Sequence, residues 1–309
     1  MSEGTQVKKQ NTPKKTFGQR LNQEGVAGYI LVLPFIFGFL AFTAIPMAMS
    51  LGFSFTEYNI LETPEFVGFR NYIDMFQDPK FINTFLVTIK YVIFSVPLRL
   101  LMALMIAMLL VKSTKLSGFY RAVFYLPSII GSSVAVAVLW KKMFESNGVI
   151  NGLLGLVGLP DDTAWLGGEK TAMFTLVVLA VWQFGSSMLI FLAGLKQIPV
   201  SLYEAATVDG ASGVKKFFKI TLPLLTPTIF FNLINQLISG FMAFTQSYVI
   251  TQGKPRESTL FYSVYLYQNS FTYGKLGYGC AMAWFMTIFV GLLTLLIFKT
   301  QNKWVYYES

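Results

Sequence analysis

Apolar residues in this chain do not alternate with polar ones; they gather into six long runs, at about residues 28–55, 84–111, 122–141, 172–195, 224–250 and 280–298. Each run is longer than an ordinary strand and reaches the roughly 20 residues that a helix needs to cross a bilayer. An isolated strand would leave its backbone polar groups unpaired in lipid, so the pattern predicts helices. The expected fold class is an all-α membrane protein with six transmembrane helices. The first run follows a 27-residue tail and continues past Pro46 without a small-residue cleavage site, so it reads as a retained span. The expected organisation is a basic tail over 1–27, a six-helix membrane domain over 28–299 and a short tail over 300–309.

Composition agrees with this reading. The 309 residues are 54% hydrophobic and 13% charged, with a mean hydropathy of +0.56. Soluble domains carry about 25% charge, and without it a water-facing surface cannot be covered, which excludes a soluble globular enzyme. A single cysteine, Cys280, excludes an intrachain disulfide framework, and the absence of histidine excludes His-based catalysis and metal ligation.

The placement of basic residues orients the chain. Lys8, Lys9, Lys14, Lys15 and Arg20 lie in the N-terminal tail, and Lys112, Lys115 and Arg121 follow the second run. Lys196, Lys215, Lys216 and Lys219 follow the fourth, and Lys299 and Lys303 follow the sixth. These fourteen oppose eight in the other three loops, which also hold ten of the fifteen acids. By the positive-inside rule, both termini of a chain seated in a cytoplasmic membrane are expected in the cytoplasm. The net charge of +9 then reflects topology, and nucleic acid is not an expected partner.

No Asp or Glu falls within the six runs. Transporters driven by protons or sodium generally need buried ionisable groups, which are costly enough in lipid to mark function. The energy for transport is therefore expected from another polypeptide. A self-sufficient secondary transporter or channel is the alternative.

The most informative stretch is Lys196–Pro223, KQIPVSLYEAATVDGASGVKKFFKITLP. Ser201 and Glu204 have the S-x-x-E spacing of a capping box and predict a short helix through Val208. Asp209-Gly210 predicts a turn with positive φ at the glycine. Ser212 is placed to cap a second short helix, and Leu222-Pro223 is expected to break it and open the fifth span. Small Ala205 and Ala206 permit close approach of a partner. Read without further comparison, the stretch is either an amphipathic linker on the membrane or an elbow that another protein grips.

Glu204-Ala205-Ala206, Asp209-Gly210-Ala211, Phe217, Ile220, Leu222 and Pro223 resemble the EAA motif of ABC importer permeases. The resemblance to the maltose-type carbohydrate permeases extends along the chain. It includes Ser54 to Asn59, Val67-Gly68 with Asn71-Tyr72, Asp78-Pro79 with Phe81, Arg121 through Pro127, Trp140, Gly148 with Asn151, and Thr251-Gln252-Gly253-Lys254-Pro255. Lys254 stands where the family usually has a glycine. The resemblance implies a coupling role for Glu204, Ala205, Ala206, Asp209 and Gly210, docked into a cytoplasmic ATPase. It also implies a second homologous permease, two ABC ATPase subunits and an extracellular solute-binding protein, all around a chain seated in the lipid bilayer. No Walker A sequence occurs in the chain, so no cofactor is expected here; ATP and Mg would be held by the partner ATPase.

Sugar recognition calls for aromatic faces and for amides or hydroxyls. Span four offers Trp182, Gln183, Ser186 and Ser187; span five offers Asn232, Asn235, Gln236, Ser239, Phe244 and Gln246. Asn232, Asn235, Gln236 and Ser239 recur at three- or four-residue intervals, which predicts one shared helical face. Such stripes either join membrane helices or bind a ligand. The resembling family places its sugar site on these two helices. Lys90 and Arg99 are the only charges in the spans; Lys90 is expected to snorkel outward. Arg99, two residues after Pro97, either pairs within the assembly or lines the path and favours an anionic saccharide. Phe261, Tyr262, Tyr265, Tyr267, Phe271, Tyr273 and Tyr278 suit an interfacial belt or a docking surface for the binding protein.

Overall fold

A computed structural model describes residues 24–59, 62–112 and 116–306, without the side chains of 24–27 and 30. Lys8, Lys9, Lys14, Lys15, Arg20 and Lys115 lie outside the described residues. The chain divides into two compact units, 1–52 and 53–309. The first unit holds α1 (Glu24–Phe39), a π-helical turn (Leu40–Ala44) and most of α2 (Ile45–Phe53). The stretch Leu31–Phe53 is apolar and long enough to cross a bilayer.

The second unit opens on a two-stranded antiparallel hairpin, β1 (Thr56–Glu57) and β2 (Glu65–Phe66), followed by α3 (Arg70–Gln77). Asn71 donates to the carbonyls of Ser54 and Thr56, and the Tyr72 hydroxyl donates to Ser54 Oγ, so these signature residues brace the loop. Asp78 then caps α4 (Pro79–Leu110) through the Lys80 amide, with Pro79 at the first helical position, where its missing N–H is no loss. At 1.5 Å per residue α4 is about 48 Å long, so its first turns project beyond a 30 Å hydrocarbon core. The helix is the hub of the unit, packed by α8 (Glu169–Trp182), α9 (Gly185–Gln197) and α12 (Leu222–Phe241). Ala103 and Ala107 lie on one face of α4, and their small side chains let Met188 and Phe191 of α9 pack in the same buried cluster.

Hydropathy does not show how the third and fourth spans run. The third is broken into α5 (Ser117–Ile130) and α6 (Val134–Met143), bent by 98°; the fourth is α8 and α9, bent by 43°. Among the described residues, four helices are long and apolar enough to span, or six if each bent pair counts as one span. α7 (Val149–Leu156) follows, held by Asn151, which donates to Ser146 and Thr163 carbonyls and accepts from the Trp165 indole. Beyond α12 come a π-helical turn (Gln246–Thr251), α13 (Tyr262–Tyr267), a second such turn (Gln268–Thr272) and α14 (Leu276–Thr300). The Tyr265 hydroxyl donates to Asp78, 2.5 Å away, and burial together with that bond pushes the phenol above its ordinary range.

The elbow differs from expectation in two respects. α10 (Val200–Val208) is capped by Pro199, not by Ser201, and no side-chain cap bond forms. Pro199 sits at φ −59° and ψ 130°, which places Ser201 at the second helical position, two residues too far inside for a capping box with Glu204. Nor does Leu222-Pro223 break the chain. α11 (Gly213–Lys216), a π-helical turn (Phe217–Thr221) and α12 form one continuous rod. The wide π turn absorbs the amide that Pro223 lacks. Three local expectations hold: the helix ends at Val208, Gly210 has φ +72°, and Ser212 Oγ accepts from the Lys215 amide at 3.3 Å.

Candidate functional site: a membrane-depth cavity and an exposed elbow

The two helix breaks face each other and are stitched together. A helix break frees carbonyls and amides that lipid cannot satisfy, so other groups must. The Gln183 carbonyl, at the end of α8, accepts from Arg99 Nη2 at 2.5 Å and from Ser128 Oγ at 2.8 Å. Ser128 Oγ in turn accepts from the Ser186 amide at 3.0 Å, and the Gln183 side chain donates to the Gly131 carbonyl at 2.7 Å. Glycine is required at both contacts. A Cβ on Gly131 would stand 2.6 Å from the Gln183 side chain, and one on Gly185 would stand 2.4 Å from the Phe124 carbonyl oxygen. Arg99 thus donates through Nη2 to a backbone carbonyl of its own chain, while its buried Nε has no partner among the described residues.

Beside this junction lies a cavity of about 270 Å³. Arg99, Tyr91 and Ser95 line it from α4, Ser128 and Ser132 from the first break, Gln183 and Ser186 from the second, and Gln236, Ser239 and Gln246 from the region of α12. Of the residues singled out in the sequence, the fold therefore gathers Arg99, Gln183, Ser186, Gln236, Ser239 and Gln246 around one space. Gln236 also donates to Ser187 Oγ at 2.9 Å, joining α12 to α9.

Three candidates are placed elsewhere. Trp182 stacks on Trp140 with ring centroids 5.7 Å apart and does not line the cavity. Asn232 is fully buried and donates to the Thr228 carbonyl. Asn235 is exposed and donates to its own helix at Phe231. The four residues do share a face, an arc of about 100°, but its edges meet different neighbours, so of the four only Gln236 and Ser239 reach the cavity. Tyr91, Ser95, Ser128 and Ser132 were not anticipated. Their only signal is a hydroxyl near Arg99 or near the Pro127–Gly131 break.

A larger cavity, about 570 Å³, lies at the other end of α4 among Glu57, Arg70, Asp74, Asp78, Tyr265 and Lys275. It is walled largely by loops, and Arg70 already faces Glu57 and Asp74, each at 3.8 Å, so the smaller space, lined from the apolar helices, is the better candidate path.

At the opposite end of the unit from the hairpin, α10 has no buried residue. It is tied back by Tyr203, whose hydroxyl bonds Thr221 Oγ1 at 2.8 Å, and by Lys216, which donates to Thr207 Oγ1 at 2.7 Å. The Ala211 amide reaches the Ala206 carbonyl and the Gly210 amide reaches Thr207, closing the helix in a Schellman turn with Gly210 in the left-handed position. Glu204, Ala205, Asp209 and Gly210 are exposed and Ala206 half-buried. The elbow is a helix with one anchored side and one open side.

An all-α, polytopic bundle with a polar cavity between broken helices and a projecting elbow defines a membrane permease. The chain belongs to the family described as binding-protein-dependent transport system inner membrane component, whose profile matches residues 72–303. It is 53% identical over 292 residues, 94% of each chain, to the probable ABC transporter permease protein YesP of Bacillus subtilis (strain 168). It is 32% identical to the arabinooligosaccharides transport system permease protein AraP of the same organism, covering 90% of this chain and 89% of that one. The fold is also that of a chain in the crystal structure of a bacterial alginate ABC transporter, with TM-score 0.79 at 23% identity, covering 93% of this chain and 97% of that one. The protein is thus a multi-pass transport subunit of the ABC permease family.

Proposed function

We propose that this chain is a membrane permease subunit of an ATP-driven, binding-protein-dependent importer of an oligosaccharide, acidic in character. The observation that carries the reading is the clustering of Arg99, Gln183, Ser186, Gln236 and Ser239 around one cavity between the apolar helices. Amide and hydroxyl groups there can exchange hydrogen bonds with sugar hydroxyls, and the donors of Arg99 left after Gln183 suit a carboxylate. Relatives support the sugar class, since one carries arabinooligosaccharides in its name.

In this reading the chain forms the path with a second, homologous permease, and both termini face the cytoplasm. α10 docks through Glu204, Ala205, Ala206, Asp209 and Gly210 onto one of two ATPase subunits, which hold ATP and Mg. An extracellular solute-binding protein delivers the cargo at the opposite face. Closure of the ATPase pair pulls the elbow, and the rigid α11–α12 rod carries that movement to Gln236 and Ser239.

The test is uptake by proteoliposomes containing the whole complex, with a panel of neutral and uronate-bearing oligosaccharides. Uptake is expected to need ATP and the binding protein. Uphill transport by this chain without a nucleotide-hydrolysing partner would overturn the reading, as would an elbow labelled from the outside of the cell.

A further inference from the structure

Next to the cavity the chain builds a second feature that the path described so far does not use. Phe244 stacks on Tyr248 with centroids 4.9 Å apart and an interplanar angle of 24°. Tyr267 stands edge-on to them at 5.4 and 5.7 Å, and Phe271 continues the row 5.3 Å beyond Tyr267. These four rings form a connected ladder. Its outer three rings are 42%, 37% and 61% exposed, so their faces are not spent on the protein's own core. The ladder starts at the cavity rim: Ala243 and Gln246, on either side of Phe244, both line it. Ser263 Oγ donates to the Ala243 carbonyl, which pins the helix bearing Tyr267 to that rim. Tyr248 and Phe271 also lie in π-helical turns, a rare geometry that concentrates at functional sites.

We propose that the ladder of Phe244, Tyr248, Tyr267 and Phe271 is an outer subsite of the translocation path, stacking the successive pyranose rings of a linear oligosaccharide before its leading unit enters the cavity. This rests on the saccharide reading above and extends it to chain length. Flat aromatic faces offer apolar area to the C–H face of a sugar ring. No charged residue belongs to the row, so it takes neutral and acidic sugars alike and leaves charge selection to Arg99.

The test measures uptake by the assembled transporter in proteoliposomes, using maltooligosaccharides and oligouronates of two to five units. Tyr248→Leu and Tyr267→Leu keep apolar bulk but lose the flat face. Each is expected to raise KM for the longer probes roughly five-fold while leaving the disaccharides within about two-fold and kcat unchanged. Tyr248→Phe and Tyr267→Phe should behave like the parent. Equal KM at every length overturns the proposal, as does an equal rise at every length. So does a loss seen only as lower insertion, which identifies a lipid belt, or as lost copurification, which identifies packing against another subunit. Gln236→Ala in the same assay separates the two readings, because it should raise KM even for the disaccharide. If it is silent while the leucine variants shift the longer probes, the cavity fails and the ladder stands; the converse sinks the ladder alone. Uptake of neither series by the parent overturns the saccharide reading and the ladder with it.

Discussion

Gly185→Ala is the sharpest probe of the stitched helix breaks. The new Cβ would lie 2.4 Å from the Phe124 carbonyl oxygen, 2.7 Å from Tyr125 Cα and 3.0 Å from Ser128 Oγ. Two of these are backbone atoms and cannot swing aside, so α5 and α9 must part. Overpacking of this kind costs about 1–3 kcal/mol. The two hydrogen bonds through Ser128, to Gln183 and from Ser186, add about 1 kcal/mol each if both are lost. Alanine returns about 1 kcal/mol of helix propensity. The net loss is roughly 2–4 kcal/mol, and at about 2–4 °C per kcal/mol the melting temperature falls by roughly 4–16 °C. Thermal melting of the purified complex in detergent, followed by tryptophan fluorescence, reads this directly. Gly152→Ala is the reference, since nothing lies within 4 Å of its Cβ position. If Gly185→Ala melts with that reference, the two breaks are not held by close backbone contact and the reasoning fails.

Three further outcomes are expected. Gly210→Val places a branched residue at φ +72°, which costs roughly 1–2 kcal/mol and distorts the Schellman turn; transport should be abolished while membrane insertion survives, and normal uptake by this variant would remove the docking role. Arg99→Gln should lower the ratio of acidic to neutral oligosaccharide uptake by about ten-fold, the equivalent of one charge-assisted hydrogen bond; an unchanged ratio means that Arg99 serves only the Gln183 carbonyl. Trp182→Phe should leave the KM of every transported saccharide unaltered, because Trp182 packs on Trp140 outside the cavity; a substrate-dependent shift in KM would return it to the path.

The candidate site was partly legible from residue type and spacing. Arg99 stood out because a charge in an apolar run is costly, and Gln236 and Ser239 because amides and hydroxyls are rare there. What spacing could not supply was the neighbour on the other side of each residue. Asn235 and Gln236 are adjacent in sequence, yet one is exposed and the other lines the cavity.

Local chemistry alone determined a good deal about this protein. Membrane class, the positions of the apolar helices and the elbow ending at Val208 with Gly210 left-handed all follow from runs and turns that act within a few residues. Other features depended on contacts between segments far apart in the chain. Gly131 meets Gln183, Ser128 meets Ser186, and Arg99 reaches across 84 residues to the carbonyl of a broken helix. A hydropathy run reads the same whether its helix is straight or bent by 98°, because hydropathy measures only what the side chains prefer to touch. The bend is decided by where the freed backbone groups find partners, and those partners exist only once the bundle has assembled.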